Sequence, residues 1–231
     1  VTVFEKEKRP GGMLMNGIPS FRLEKDVINA EIDVLREMGV EFKCGVEVGE
    51  DITIAQLREQ GYKAFYIAIG AQGGRMTGVP GEDAVGVETG VDFLRRVNLN
   101  EEGVKLSGKT VVIGGGNVAV DVARTALRTG SSDVSMFCLE SRDIMPAADD
   151  EVAEAEEEGI VVNNSWGPKE ILTENGKVTA VVFKKCISVL DENKRFSPKY
   201  DEEELLTVPC DQVLLSIGQS IKWGALLEGT R

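Results

Sequence analysis

Residues Gly114 to Ala119 read Gly-Gly-Gly-Asn-Val-Ala, a Gly-x-Gly-x-x-Ala turn. In such a turn the first glycine, Gly114, permits a tight reversal. The second, Gly116, lets main chain approach a pyrophosphate, and the small Ala119 lets a helix pack closely on a strand. Phosphates placed there would meet free N–H groups at the positive end of a helix dipole, so the chemistry expected is the binding of a dinucleotide. The motif has this meaning only between a strand and a helix. Thr110-Val111-Val112-Ile113 before it is a short buried-strand signal, and Val118, Val122, Ala123 and Ala126 after it fall at helical spacing.

Other chemistries are poorly supplied. The chain has no histidine, so the commonest general base and metal ligand is missing. Its four cysteines stand at 44, 138, 186 and 210 with no Cys-x-x-Cys, which writes neither a redox disulfide nor a local metal site. They read as buried thiols of a reducing compartment, and the cytoplasm is the expected location. A cofactor that carries its own chemistry fits this composition best. A net charge of −13 argues against nucleic acid and against an anionic membrane surface as partners. No run of eighteen apolar residues exists, so no membrane insertion is expected.

The 231 residues allow one large domain or two small ones, and 42% apolar with 28% charged residues is ordinary for a globular protein. The sequence opens on Val1-Thr2-Val3-Phe4, in the middle of a strand pattern and without an initiator methionine, and it stops at Arg231 without a natural end. It is expected to be a piece of something longer.

The elements that must position the turn follow from pattern. Residues 1–4 alternate as a strand, and Arg9-Pro10-Gly11-Gly12 is a turn, with an irregular stretch over 13–23. A helix is expected from about 24 to 38, a strand over 40–44 and a short helix near 54–60. Ala64 to Ile69 is a near-continuous apolar run ending at Gly70, which predicts a buried parallel strand. The glycine-rich stretch 71–82 is the candidate linker. A helix is expected over 91–97, then the strand–helix–strand unit over 109–140, then an acidic helix over 149–158 whose charges face solvent. Strands at about 160–165, 169–173, 177–185 and 205–208 predict a β-meander, with a polar loop over 191–204. A last strand covers 212–217 before Gly218.

Two internal echoes organise these elements. Val1-Thr2-Val3-Phe4 resembles Val134-Ser135-Met136-Phe137, and the segment Phe65 to Ala71 resembles Gln212 to Gln219. Each pair corresponds to the second strand and the last strand of a dinucleotide-binding fold. The expected architecture is α/β: a Rossmann-like domain over 84–217, built of a parallel sheet plus a meander. It is flanked by an incomplete dinucleotide domain over 1–83 that lacks its first strand and glycine motif, and 218–231 begins the return to that domain. In the first unit Glu5 sits just past a second strand, where a carboxylate accepts hydrogen bonds from ribose hydroxyls. Gly11 and Gly12 would let the main chain approach a cofactor there.

Several stretches resemble one family. They are Glu5-Lys6, Gly11 to Leu14, Gly17 to Leu23, Ala68 to Gly70, Pro80 to Asp83, Gly114 to Arg124, and Met145-Pro146-Ala147. The chain is similar, nearly end to end, to the glutamate synthase small (beta) subunit and its relatives, including the matching part of dihydropyrimidine dehydrogenase. The resemblance implies a two-dinucleotide-binding flavoprotein with an NAD(P) domain inserted into an FAD domain. Hydride would pass from the nicotinamide to the flavin, and electrons would leave singly through iron–sulfur clusters outside this chain, in a partner domain or subunit. It implies that Gly11, Gly12, Leu14 and Arg22 lie on the FAD side. Gly114, Gly116, Asn117, Val118, Ala119 and Asp121 would lie on the nicotinamide dinucleotide. Gly70 and Gly218 would sit at strand ends where the cofactors meet.

Residues 139–142 bear on coenzyme choice. Many relatives carry two arginines at the positions of Leu139 and Glu140, pairing with the 2′-phosphate of NADP. Here one residue is apolar and the other acidic, and a carboxylate beside a phosphate is repulsive. Arg142 remains within reach of a phosphate. NADH is the expected coenzyme. The family's first FAD glycine motif and late Gly-Asp motif have no counterpart in 1–231, so this piece is expected to hold FAD poorly. Two alternatives stay open: a thioredoxin-reductase relative, against which the missing Cys-x-x-Cys counts, and a non-catalytic nucleotide-binding assembly or sensing module.

Overall fold

The structure is a computed structural model describing residues 1–99 and 104–229. The chain forms two units, residues 1–73 with 220–231 and residues 74–219, so it passes between them twice, first at Gly73–Gly74 inside the glycine-rich stretch.

The first unit holds β1 (Thr2–Glu5), α1 (Gly12–Asn16), α2 (Lys25–Glu37), β2 (Glu41–Cys44) and α3 (Ile54–Glu59). β1 and β2 pair in parallel, Thr2 opposite Glu41. Met15, Ile28 and Ile32 form its small core, with Leu23 and Phe42 against it. α3 opens on a capping box in which Thr53 and Gln56 satisfy each other's backbone N–H groups. The helix α1 lies in the stretch expected to be irregular. Five residues are too few to show a helical period, and burial of Met15 and Asn16 sets it instead.

The apolar run 64–69 is a second departure. It forms no strand, and Tyr66 is 95% exposed while Phe65, Ile67 and Ile69 are also exposed. A strand needs a neighbour to satisfy its N–H and C=O groups, and among the described residues no strand pairs with this segment. Apolar content alone therefore misread this segment.

The short strand β3 (Gly73–Gly74) lies at the first passage. The second unit contains β4 (Val87–Thr89), α4 (Gly90–Asn98), β5 (Lys109–Ile113), α5 (Asn117–Arg128), β6 (Asp133–Cys138), α6 (Asp149–Glu157), β7 (Val161–Asn164), β8 (Trp166–Glu174), β9 (Lys177–Leu190), β10 (Phe196–Pro209) and β11 (Gln212–Leu215). A last short strand, β12 (Gln219–Ser220), lies at the second passage. The main sheet runs β4-β11-β5-β6-β7, all parallel. Its strands bury both faces. Val112 and Leu214 pack with α5 residues such as Val120 and Ala123, whereas Val111, Ile113, Val213 and Leu215 pack with Val181 and Phe183 of β9. Two covered faces explain why these strands read as continuous apolar runs. The Phe137 and Phe183 rings stack at 4.1 Å between centroids, tying the sheet to the meander.

The meander is β8, β9 and β10, antiparallel in the order β10-β9-β8. The strand expected at 160–165 does not belong to it. β7 instead pairs in parallel with β6 across α6, making a second β-α-β unit. Only Ser165, at φ 64°, separates β7 from β8, and that single left-handed residue redirects the chain. The loop expected over 191–204 is short, because β10 already starts at Phe196. Much of its first half is exposed, and its pairing with β9 shifts register three times. A ribbon solvated on both sides has no apolar alternation to show.

Candidate functional site

The glycine turn leaves the C-terminal end of β5 and opens α5. The Gly114 N–H donates to the Phe137 carbonyl at 2.8 Å, which starts the turn at the level where β5 and β6 end. Gly114 has φ 148°, and a Cβ on it would fall on the Ser216 carbonyl, so only glycine fits. A Cβ on Gly115 would meet the Cβ of Cys138 at 2.8 Å and Glu140 Oε2 at 3.0 Å. Gly116 is different. It is the N-cap of α5 with φ −96°, and a Cβ there meets nothing within 4 Å. The Ala119 N–H is the first to bond back, to the Gly116 carbonyl at 2.8 Å. The N–H groups of Asn117 and Val118 precede it at the open helix end. Space at Gly116 over unbonded N–H groups is the shape a diphosphate needs, so these residues fit a dinucleotide. Ala119 is fully buried against the sheet, Val118 is 38% exposed, and Asp121 is half-buried one turn on.

The segment after the second strand crosses back to this turn. The Ala147 N–H donates to the Gly115 carbonyl at 3.0 Å, and the Ala148 N–H donates to Asn117 Oδ1 at 2.9 Å. Met145-Pro146-Ala147 therefore clasps the turn from the side of α6, a role its sequence did not reveal. Arg124, its side chain 9% exposed, binds Glu154 of α6 and Glu158, the residue that caps its C-terminal end, at 2.5 and 2.6 Å and fixes α6 against α5. The acidic helix is thus partly an internal ion-pair surface. Burial pushes the Glu158 carboxyl up, but hydrogen bonds from Arg128 and Arg124 outweigh this and hold it below the ordinary carboxylate value.

Glu140 lies two residues beyond β6, with its carboxylate beside Gly115. Its carbonyl is held by the Ser165 N–H at 3.0 Å and Asn164 Nδ2 at 3.2 Å. Asn164 Nδ2 also reaches Cys138 Sγ at 3.3 Å. Burial, with the Glu140 charge adding, pushes the Cys138 thiol up to about 11, so it stays protonated and unreactive. Arg142, the other residue expected at the adenosine end, is exposed and paired with Glu156 of α6 through both its terminal nitrogens, at 2.9 and 3.1 Å.

Gly218 lies past the end of β11. Together with Val91, Val118, Leu215, Ser216 and Gln219 it lines a cleft of about 120 Å³. The Arg75 N–H donates to the Gly218 carbonyl at 3.1 Å. Ser216 Oγ, a group that no local sequence signal marks, is buried there without a hydrogen-bond partner among the described residues.

In the first unit Glu5 ends β1, and its carboxylate accepts from the Glu7 N–H at 2.8 Å. Gly11 has φ 125°, and a Cβ on it would crowd Met15 and Ile28, so its part is helix packing. Gly12 begins α1 at φ 52° with open space beside it, Leu14 is exposed, Arg22 is half-buried, and Gly70 is exposed at φ 66°. Lys25 Nζ donates to the Leu14 carbonyl at 3.0 Å and also to the Ile18 carbonyl. Around these residues the first unit places a two-stranded sheet and a five-residue helix.

A five-stranded parallel sheet with a glycine turn at a strand's C-terminal end defines a dinucleotide-binding α/β protein. Residues 28–226 match the family described as pyridine nucleotide-disulphide oxidoreductase, and the chain belongs to that family. It is 38% identical over 227 residues to the NADP(+)-dependent formate dehydrogenase subunit beta of Moorella thermoacetica, covering 95% of this chain and 31% of that protein. It is 36% identical to the glutamate synthase [NADPH] small chain of Halomonas elongata, covering 94% of this chain and 48% of the relative. The chain thus spans about half or less of the length of these relatives. Its fold is similar to that of Mycobacterium tuberculosis FprA in complex with NADPH, with a TM-score of 0.81 at 23% identity, covering 94% of this chain and 63% of the other. No helix among the described residues is long and apolar enough to cross a membrane.

Proposed function

We propose that the chain is the nicotinamide-binding portion of a flavoprotein oxidoreductase similar to the glutamate synthase small subunit. In this reading residues 84–217 carry the nicotinamide dinucleotide, and 1–83 with 218–231 belong to the flavin side. The bound pair of cofactors supplies hydride transfer from nicotinamide to flavin, with electrons passed on to iron–sulfur centres of a partner domain or subunit. The chain's own residues bind and orient. The turn Gly114–Ala119 and the open end of α5 take the diphosphate, with Asn117 on the first turn of the helix and Asp121 one turn on. Val118, Ser216 and Gly218 line the cleft at the strand ends. Four free thiols suit a cytoplasmic setting.

The observation that carries this reading is the empty space at Gly116 over unbonded N–H groups at the start of α5.

The reading includes a preference for NADH. The Glu140 carboxylate beside Gly115 would repel a 2′-phosphate and accept hydrogen bonds from a free ribose. Arg142, the cation nearest in sequence, is occupied by Glu156. Titration of the chain with NADH and NADPH tests it. The expected result is tighter NADH binding, by about tenfold, and a reversed preference in Glu140→Arg. Equal affinities in both proteins would overturn the coenzyme assignment, and absence of binding by either coenzyme would overturn the function.

A further inference from the structure

The two residues after β6 do not place Glu140 by themselves. Beyond Cys138 the chain leaves the sheet, and Glu140 lies past the ladder that β6 shares with β7. What fixes it comes from the far end of β7. Asn164 sits there, the last residue of that strand, paired in register with Cys138. Its side-chain amide donates to the Glu140 carbonyl at 3.2 Å and to Cys138 Sγ at 3.3 Å. It also lies 3.6 Å from Met145 Sδ, on the segment whose next residues clasp the glycine turn through Ala147. One carboxamide thus ties together the strand end, the carbonyl of Glu140 and the crossing segment. The neighbouring Ser165 N–H adds a second bond to the same carbonyl at 3.0 Å, made possible by its left-handed backbone. The result is a Glu140 carboxylate held next to Gly115, where a Cβ would meet its Oε2 at 3.0 Å.

We propose that Asn164 is a positioning residue for coenzyme choice, acting through Glu140 by holding its main chain so that the carboxylate faces the ribose end of the glycine turn. The proposal rests on the nicotinamide reading above and extends it to a residue 24 positions away in sequence. Repulsion between a carboxylate and a 2′-phosphate depends steeply on their separation, so a Glu140 free to swing into solvent loses its discrimination while the diphosphate site stays intact. Among the described residues no hydrogen bond joins the Asn164 side chain to Gly116 or to the open N–H groups of α5. Its loss should therefore alter the ratio of affinities rather than their common level.

The test measures NADH, NADPH and ADP-ribose affinities for the 231-residue chain and for Asn164→Leu, Glu140→Gln and the double variant. Leucine keeps the branched outline and the number of side-chain heavy atoms of asparagine and removes the donor. Asn164→Ala serves in its place should Asn164→Leu not fold, as judged by circular dichroism and thermal unfolding. The expected result is that Asn164→Leu narrows the NADH-over-NADPH ratio by about fivefold, mainly through tighter NADPH binding, with ADP-ribose affinity changed by less than about twofold. The double variant should match Glu140→Gln alone, because one residue acts through the other. An unchanged ratio in Asn164→Leu, an equal weakening of all three ligands, or additive effects in the double variant would each overturn the proposal. These outcomes are distinct from failure of the underlying reading, which would appear as a wild-type chain that binds no dinucleotide, or as a Glu140→Gln ratio equal to that of the wild type.

Discussion

Asn117, the first residue of α5, accepts a hydrogen bond from the backbone N–H of Ala148 at 2.9 Å. The bond joins the helix end of the glycine turn to the N-cap of the acidic helix, 31 residues further on. Its partner contact, from Ala147 to the Gly115 carbonyl, fixes the middle of the turn. The turn is thus shaped from two sides, by β5 below and by the 145–148 segment beside it.

Removal of the Asn117 acceptor should therefore loosen the turn without emptying the core. Asn117→Ala is expected to lower unfolding free energy by about 1 kcal/mol and to weaken NADH binding by about tenfold. Asn117→Asp keeps an acceptor and should stay close to wild type in stability. Urea unfolding and coenzyme titration on the three proteins check this. Equal behaviour of the alanine variant and the wild type would remove the clasp from the account.

The α5–α6 ion pairs give a pH dependence of stability. Glu158 titrates below its unfolded value because Arg128 and Arg124 donate to it, despite its burial. A depressed carboxyl contributes stability fully above the unfolded pKa of about 4.3 and loses it as pH falls through the lower folded value. Wild type should thus lose more stability than Glu158→Gln between about pH 5 and pH 3, while at pH 7 the wild type is the more stable. Arg124→Met, which leaves two carboxylates facing an apolar side chain, should cost about 2 kcal/mol at pH 7. Parallel urea titrations across this range test both statements.

Most of the second unit was legible in sequence, and the reasons are physical. The strands β5, β6 and β11 and the helices α4, α5 and α6 all bury apolar residues at regular spacing, so period and position agree with the fold. The glycine turn could be read because its residues are adjacent in sequence. The elements that were misread have their structure decided elsewhere. The run 64–69 has strand composition but no neighbour to pair with, β7 follows its partner across a helix, and the outer half of β10 is solvated on both sides. In the site, the clasp by Ala147 and Ala148, the anchoring of Glu140 by Asn164 and the pairing of Arg142 with Glu156 are long-range contacts. No local pattern encodes them.

The first unit sets an expectation for flavin. Its sheet has two strands, and among the described residues the apolar segment 64–69 joins no ladder beside the glycine at 70. The purified 231-residue chain should therefore show no stoichiometric flavin band between about 350 and 500 nm, even after incubation with FAD and desalting. A stoichiometric band that survives desalting would show that the flavin side is complete within these residues.

Gly116 is the position where dinucleotide binding and folding separate most cleanly. Its φ of −96° suits any residue and a Cβ there touches nothing, so Gly116→Val should fold with wild-type stability while its side chain fills the diphosphate space. Gly114→Ala, with φ 148° and no room beside the Ser216 carbonyl, should instead destabilise the protein. Titration of wild type and Gly116→Val with NADH is predicted to give saturable binding in the first and a loss of at least about a hundredfold in the second, at unchanged melting temperature. Wild-type affinity retained in Gly116→Val would contradict the account.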